Sequence, residues 1–142
     1  MGKFVAFPTV GGLHYRLPDG SWRYTPGAKA SLLVIGSPSK DKDLLIVESS
    51  WDALALHEAT GSPVVCTRGA SNERLAIEYV DALSGGSSMS LVAVPQNDPP
   101  GEKWLQGLRV GLMLHDIQVK RVPPPFKDYA QLHAHHNGVK SP

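Results

Sequence analysis

The chain has 142 residues, 42% of them hydrophobic and 19% charged, and a net charge of +1. That length holds one domain with a real core, or a core with a small appendage, and the composition excludes disordered and fibrous classes. The near-neutral charge excludes a globally basic nucleic-acid binder, and the single Cys66 excludes an internal disulfide and a cysteine zinc site.

Residues 1–40 read as a small antiparallel element. Candidate strands cover 4–7, 12–17 and 21–25, and Pro18-Asp19-Gly20 predicts a hairpin because Asp-Gly tolerates positive φ. Pro26-Gly27 closes this unit, and 31–35 offers a further apolar strand. So thin an element is expected to pack on the downstream part of the chain.

Beyond it, strand and helix alternate four times. Leu44-Leu45-Ile46-Val47 predicts a buried strand, followed by a helix over 51–59 with Ser49 and Asp52 placed as a capping box and Gly61 as the stop. A strand at 63–66 leads through Thr67-Arg68-Gly69-Ala70-Ser71-Asn72 into a helix at 73–83, whose period puts Leu75, Tyr79, Val80 and Leu83 on one side. A strand at 90–94, a helix at about 102–115, a strand at 117–122 and a short helix from near Asp128 complete the chain. Successive βα units imply an α/β fold: a mainly parallel sheet with right-handed crossovers, flanked by helices.

In such sheets ligands bind beyond the carboxyl ends of the strands. Glu48, the loop 67–72, Gln96 with Asp98, and Lys127 with Asp128 all fall at such ends. Two strands that each deliver an acid there point to a divalent-metal site. Each acid also has a plainer reading: Glu48 as a helix-terminus charge, Asp98 as turn chemistry, Asp128 as a cap. Their convergence on one edge favours function. Arg68 and Lys127 sit where they can hold phosphates, whereas Lys103, Arg109, Lys120 and Arg121 read by default as solvated charges. His133, His135 and His136 read as a solvated helix end, and Trp22, Trp51 and Trp104 as packing anchors. No segment approaches the roughly 20 apolar residues that span a bilayer, and the start lacks a secretory signal, so a cytoplasmic protein or a fragment of one is expected.

The block Leu44-Leu45-Ile46-Val47-Glu48 with Trp51-Asp52-Ala53-Leu54-Ala55 resembles the first motif of the Toprim domain. That domain occurs in bacterial and phage primases, type IA and type II topoisomerases and some nucleases. Val94-Pro95-Gln96-Asn97-Asp98-Pro99-Pro100-Gly101 resembles the second motif, Asp-x-Asp followed by a small residue and Gly. Gly69-Ala70-Ser71-Asn72 and Pro125-Phe126-Lys127-Asp128 resemble loops of primase-type members. Tyr15-Arg16 and Gly20-Ser21-Trp22-Arg23 resemble the segment that precedes Toprim in DnaG-like and phage primase-helicase proteins. The likeness covers nearly the whole chain, most firmly 43–129.

The resemblance implies a pre-Toprim element over 1–40 and a Toprim domain over 41–142, with a Rossmann-like, four-stranded, mainly parallel sheet. It implies Mg²⁺- or Mn²⁺-dependent nucleotidyl transfer in DNA replication, in a primase of phage or mobile-element type. Glu48 would be catalytic and would bind metal with Asp98 and Asp128, while Arg68, Asn72, Lys103 and Lys127 would contact phosphates or nucleic acid. Implied partners are DNA or RNA, nucleoside triphosphates, and zinc-binding and helicase domains or subunits outside this chain, with no membrane. One departure stands out: Gln96 replaces the first acid of Asp-x-Asp, and an amide brings a weak ligand without charge. That substitution also suits a degenerate, non-catalytic Toprim that positions nucleic acid. A third alternative is a Toprim nuclease of the overcoming-lysogenisation or ribonuclease M5 type. No tyrosine in a strand-cleavage context supports a topoisomerase.

Overall fold

The computed structural model describes residues 5–9, 11–27, 29, 31–69 and 71–137. Three short strands, β1 (Ala6–Thr9), β2 (Gly12–Arg16) and β3 (Trp22–Tyr24), pair antiparallel in that order. The first of them was expected from residue 4, which lies outside the described residues. The β2–β3 turn forms at Pro18-Asp19-Gly20: the Gly20 N–H donates to Leu17 O, and Asp19 Oδ1 accepts the Ser21 N–H at 2.8 Å. Gly20 has φ 88°, which glycine adopts without a Cβ penalty. Strand register places Phe7, His14 and Tyr24 opposite one another on one side of this sheet.

The second sheet contains β4 (Leu33–Ile35), β5 (Leu44–Val47), β6 (Val64–Cys66), β7 (Ser90–Val94) and β8 (Asp116–Val119), in the order β4-β6-β5-β7-β8. Its last four strands are parallel, as expected. The strand foreseen at 31–35 joins this sheet as an antiparallel edge on β6, so the sheet has five strands. The β8 strand stops at Val119, three residues short of expectation. Beyond it lies Pro123-Pro124-Pro125, which has no N–H groups to extend a ladder.

Four helices cover the faces: α1 (Ser50–Thr60), α2 (Glu73–Ser84), α3 (Pro99–Gly111) and α4 (Tyr129–His136). Ser49 caps α1 by accepting the Asp52 N–H, and Gly61 ends it in the left-handed conformation. Asp98 caps α3 with prolines in its first turn, so this helix begins before the expected 102. Period-2 alternation explains the uninterrupted apolar strands. Leu44 and Ile46 pack with Val80, Leu91, Trp104 and Leu108 in one buried cluster, while Leu45 and Val47 pack with Leu56, Val64, Val94 and Val122 in the other. Ala76 and Val80, not Leu75, are the buried core residues of α2.

Candidate active site

Strand order fixes where a site can form. From β5 the chain crosses to β6 on one side and then to β7 on the other, so the order reverses between β5 and β7. A crevice opens beyond the carboxyl ends of strands at such a point. Glu48 follows β5 there, and Gln96 and Asp98 follow β7. A cleft of about 290 Å³ lies at this edge, lined by Glu48, Arg68, Gln96, Lys127 and Asp128, with Arg16 and Trp22 from the first sheet. No helix among the described residues is long and apolar enough to cross a membrane.

Glu48 is only 4% exposed and is held from both flanks. Its backbone O accepts the Gly69 N–H at 2.8 Å, and its Oε2 accepts the Gln96 N–H at 2.7 Å. Burial raises its carboxyl from 4.5 to about 7. The Gln96 hydrogen bond and Lys127 pull it down, and the charges of Asp98 and Asp128 push it further up. A carboxyl that titrates near neutrality can both take and give a proton.

Asp98 and Asp128 each use one oxygen as a helix cap. Asp98 Oδ1 accepts the Gly101 N–H at 2.7 Å, and Asp128 Oδ1 accepts the Gln131 N–H at 2.9 Å. Both acids therefore cap a helix, as the plain reading had it for Asp128; at Asp98 that reading was turn chemistry. Lys127 Nζ lies 3.6 Å from Asp98 Oδ2, which couples the β7 and β8 loops by charge. Asn97 pins the same two loops, its Nδ2 donating to Val122 O and Phe126 O and its N–H to Lys127 O.

Two features of the site escaped the sequence reading: the burial of Asp52, and the burial and backbone conformation of Arg68, a residue foreseen only as a phosphate-holding cation. Asp52 is 1% exposed, and its Oδ1 accepts the Ala130 N–H at 2.8 Å, joining the first turn of α1 to the start of α4. Burial first, and then the charge of Asp128, push its carboxyl up. The signal available was an acid in the first turn of a helix, which reads equally as a dipole partner. The second feature is Arg68, 6% exposed with φ 60°, an uncommon conformation for a residue with a Cβ. Its loop is braced by Thr67 Oγ1, which donates to Gly69 O and accepts the buried Trp104 Nε1–H at 3.1 Å. Asn72 and Lys103 do not line the cleft: Asn72 Nδ2 donates to Thr67 O within the loop, and Lys103 is exposed on α3.

Among the described residues no three His, Cys, Asp or Glu side chains are grouped closely enough to hold a cation alone. One oxygen of each acid is committed to an N–H and the other oxygen of Asp98 faces Lys127 Nζ, so an ion held by Glu48, Asp98, Asp128 and the Gln96 amide would be partly hydrated and would compete with Lys127. These groups do not make a two-metal cage.

No protein-family model and no curated protein sequence matches the chain. Solved structures do. The primase fragment of the bacteriophage T7 primase-helicase protein is similar over 89% of this chain and 53% of its own, at 19% identity and a TM-score of 0.66. A DNA primase domain from Pseudomonas aeruginosa is similar over 94% of this chain and 47% of its own, at 17% identity and a TM-score of 0.67. The DnaG primase catalytic domain bound to single-stranded DNA is similar over 95% and 48%, at 16% identity and a TM-score of 0.66. This chain thus spans about half the length of these structures. It has the fold of primase catalytic domains, as the Toprim resemblance implied.

Proposed function

We propose that this chain is the Toprim domain of a primase-like protein of phage or mobile-element type, acting in Mg²⁺-dependent nucleotidyl transfer on nucleic acid. The observation that carries the reading is Glu48: a buried carboxyl at the strand-order reversal, titrating at about 7, with Asp98, Asp128 and Lys127 acting on its charge. Glu48, Asp98 and Asp128 would hold the ion, with Gln96 as a weak neutral ligand. The ion, when bound, supplies positive charge that orients phosphates and offsets the charge developing on them.

The remaining steps belong to the protein. The Gln96 N–H fixes the Glu48 carboxylate, so its other oxygen, Oε1, accepts the proton of an attacking hydroxyl without first reorienting. Lys127 and Arg68 neutralise phosphate charge on the two flanks of Glu48. Arg16 and Trp22 of the first sheet also line the cleft. The test is nucleotide addition on a single-stranded template by the protein that contains this domain. Glu48→Gln is expected to abolish it while leaving template binding intact, and full retention of addition refutes the proposal.

A second reading, a non-catalytic module that positions nucleic acid, is favoured by Gln96 and by the lack of a three-acid cluster among the described residues. It predicts strand binding that falls steeply with salt and needs no metal, because phosphate neutralisation releases counterions. Under it, Glu48→Gln has no effect on any function of the protein.

A further inference from the structure

Strand β8 ends the five-stranded sheet, and among the described residues it pairs only with β7. The main chain shows which residues face the open side. Asp116 N–H donates to Met89 O and Lys120 N–H to Ala93 O, both at 2.9 Å. By the two-residue repeat of a parallel ladder, residues 116, 118 and 120 turn their main-chain groups toward β7, and Ile117 and Val119 turn theirs outward. The side chains of Ile117 and Val119 pack on the buried cluster of Leu44 and Trp104, so Asp116, Gln118 and Lys120 project from the other face. Lys120 Nζ agrees with that placement: it lies 5.2 Å from the centre of the Tyr129 ring, which packs on the opposite cluster.

Two further features mark this edge. Asp116 and Lys120 are both exposed, and neither joins an ion pair among the described residues. Val110, Met113 and Leu114, exposed at 71%, 75% and 86%, are the most exposed large apolar side chains among the described residues. All three lie at the end of α3 or in the turn that leads into β8. Apolar surface gathered beside an unpaired edge marks a place where another chain can add.

We propose that β8 pairs antiparallel with β8 of a second copy of this chain, about a two-fold axis at Gln118, and joins the two sheets into one. Only outward-facing residues exchange hydrogen bonds across such an edge, so Ile117 and Val119 must meet residues of their own kind. Two-fold registers centred on Ile117, Gln118 or Val119 all satisfy that condition. Charge selects the middle one. There Ile117 meets the partner's Val119, Gln118 meets the partner's Gln118, and Asp116 meets the partner's Lys120 on both sides of the axis. Centred on Ile117, Asp116 meets Gln118 and Lys120 meets Leu114; centred on Val119, Asp116 meets Val122 and Lys120 meets Gln118. The middle register also brings the exposed Met113 and Leu114 opposite the partner's Pro123 and Val122, apolar against apolar. A parallel, in-register pairing sets Asp116 against Asp116 and Lys120 against Lys120, so the same two charges oppose open-ended stacking. Because the paired strands run in opposite directions, the two clefts open at opposite edges of the joined sheet. This inference concerns assembly and stands apart from the chemistry proposed above.

The experiment is sedimentation equilibrium of the chain over a concentration series up to roughly 500 µM, where even a weak interface populates a dimer. A monomer–dimer equilibrium is expected. Lys120→Asp and Asp116→Lys each set like charges face to face in both symmetric pairs and should weaken association by about tenfold or more. The double variant carrying both changes restores opposite charges and should associate as the wild type does. Arg74→Gln, an exposed change on α2, is the control and should also associate as the wild type does. Hydrogen exchange at the Ile117 and Val119 amides should slow as concentration rises, because these N–H groups find strand acceptors only in the dimer. Thermal unfolding of the dilute, monomeric variants should match the wild type, which separates lost pairing from misfolding. A monomer at every concentration overturns the proposal. So does a dimer that both single variants leave unchanged, a charge swap that fails to restore association, growth beyond the dimer, or exchange at Ile117 and Val119 that ignores concentration.

Discussion

Replacing Glu48 by Gln should make the protein more stable above neutral pH, although it removes the central residue of the site. In the folded protein this carboxyl titrates at about 7 instead of 4.5. The folded state therefore holds the proton more tightly than the unfolded state does. Stability associated with Glu48 is fully present below about pH 4.5 and is lost as pH rises through about 7. At 1.36 kcal/mol per pH unit, the ionised carboxylate costs roughly 3 kcal/mol above that window. Glutamine keeps an oxygen able to accept the Gln96 N–H and has no charge to desolvate, so it avoids this cost. Urea unfolding of both proteins in EDTA, from about pH 4 to about pH 8, measures the difference. The variant should gain about 3 kcal/mol relative to the wild type across that range, and Mg²⁺ should narrow the gap by stabilising the wild type. Curves with a constant separation would refute the account of Glu48 as a buried carboxyl raised by its surroundings.

Other substitutions probe the supports of the site. Gly101→Ala puts a methyl group into the Gln96 carbonyl oxygen and 2.9 Å from Asp98 Oδ1, so denaturant unfolding should show a loss of about 1–3 kcal/mol together with weakened Mg²⁺ binding. Asp52→Ala strips the Ala130 N–H of its acceptor and should cost about 1–3 kcal/mol and speed hydrogen exchange at that amide, whereas Asp52→Asn keeps the acceptor and should leave exchange slow. Trp104→Phe removes the buried bond to Thr67 Oγ1 and should cost about 1–2 kcal/mol, read by thermal unfolding.

The acids at strand ends were legible because buried parallel strands announce themselves as short apolar runs, and the residue that ends each run sits at the sheet edge. Glu48, directly after Leu44–Val47, obeys that rule, and Asp98 comes in the short loop that follows Ser90–Val94. The pairing of Leu33–Ile35 was not legible, since three apolar residues carry no register and suit either sheet. Nor was the burial of Asp52, which depends on α4 docking on α1 from 78 residues away. The hold on Glu48 comes from the backbone N–H of Gln96, and a backbone donor leaves no trace in side-chain pattern. Arg68 read as a loop cation able to hold phosphates, but its burial was not legible. Its burial depends on the first sheet, whose His14 and Trp22 line the same cleft.

Direct titration of the chain with Mg²⁺ and Mn²⁺ by calorimetry, beside Glu48→Gln, Asp98→Asn and Gln96→Asp, tests the proposed acidic site most directly. One ion should bind at millimolar metal, with binding abolished in the first two variants and strengthened in the third by its added charge. Binding that persists unchanged in Glu48→Gln and Asp98→Asn, or no binding even in Gln96→Asp, would contradict that assignment.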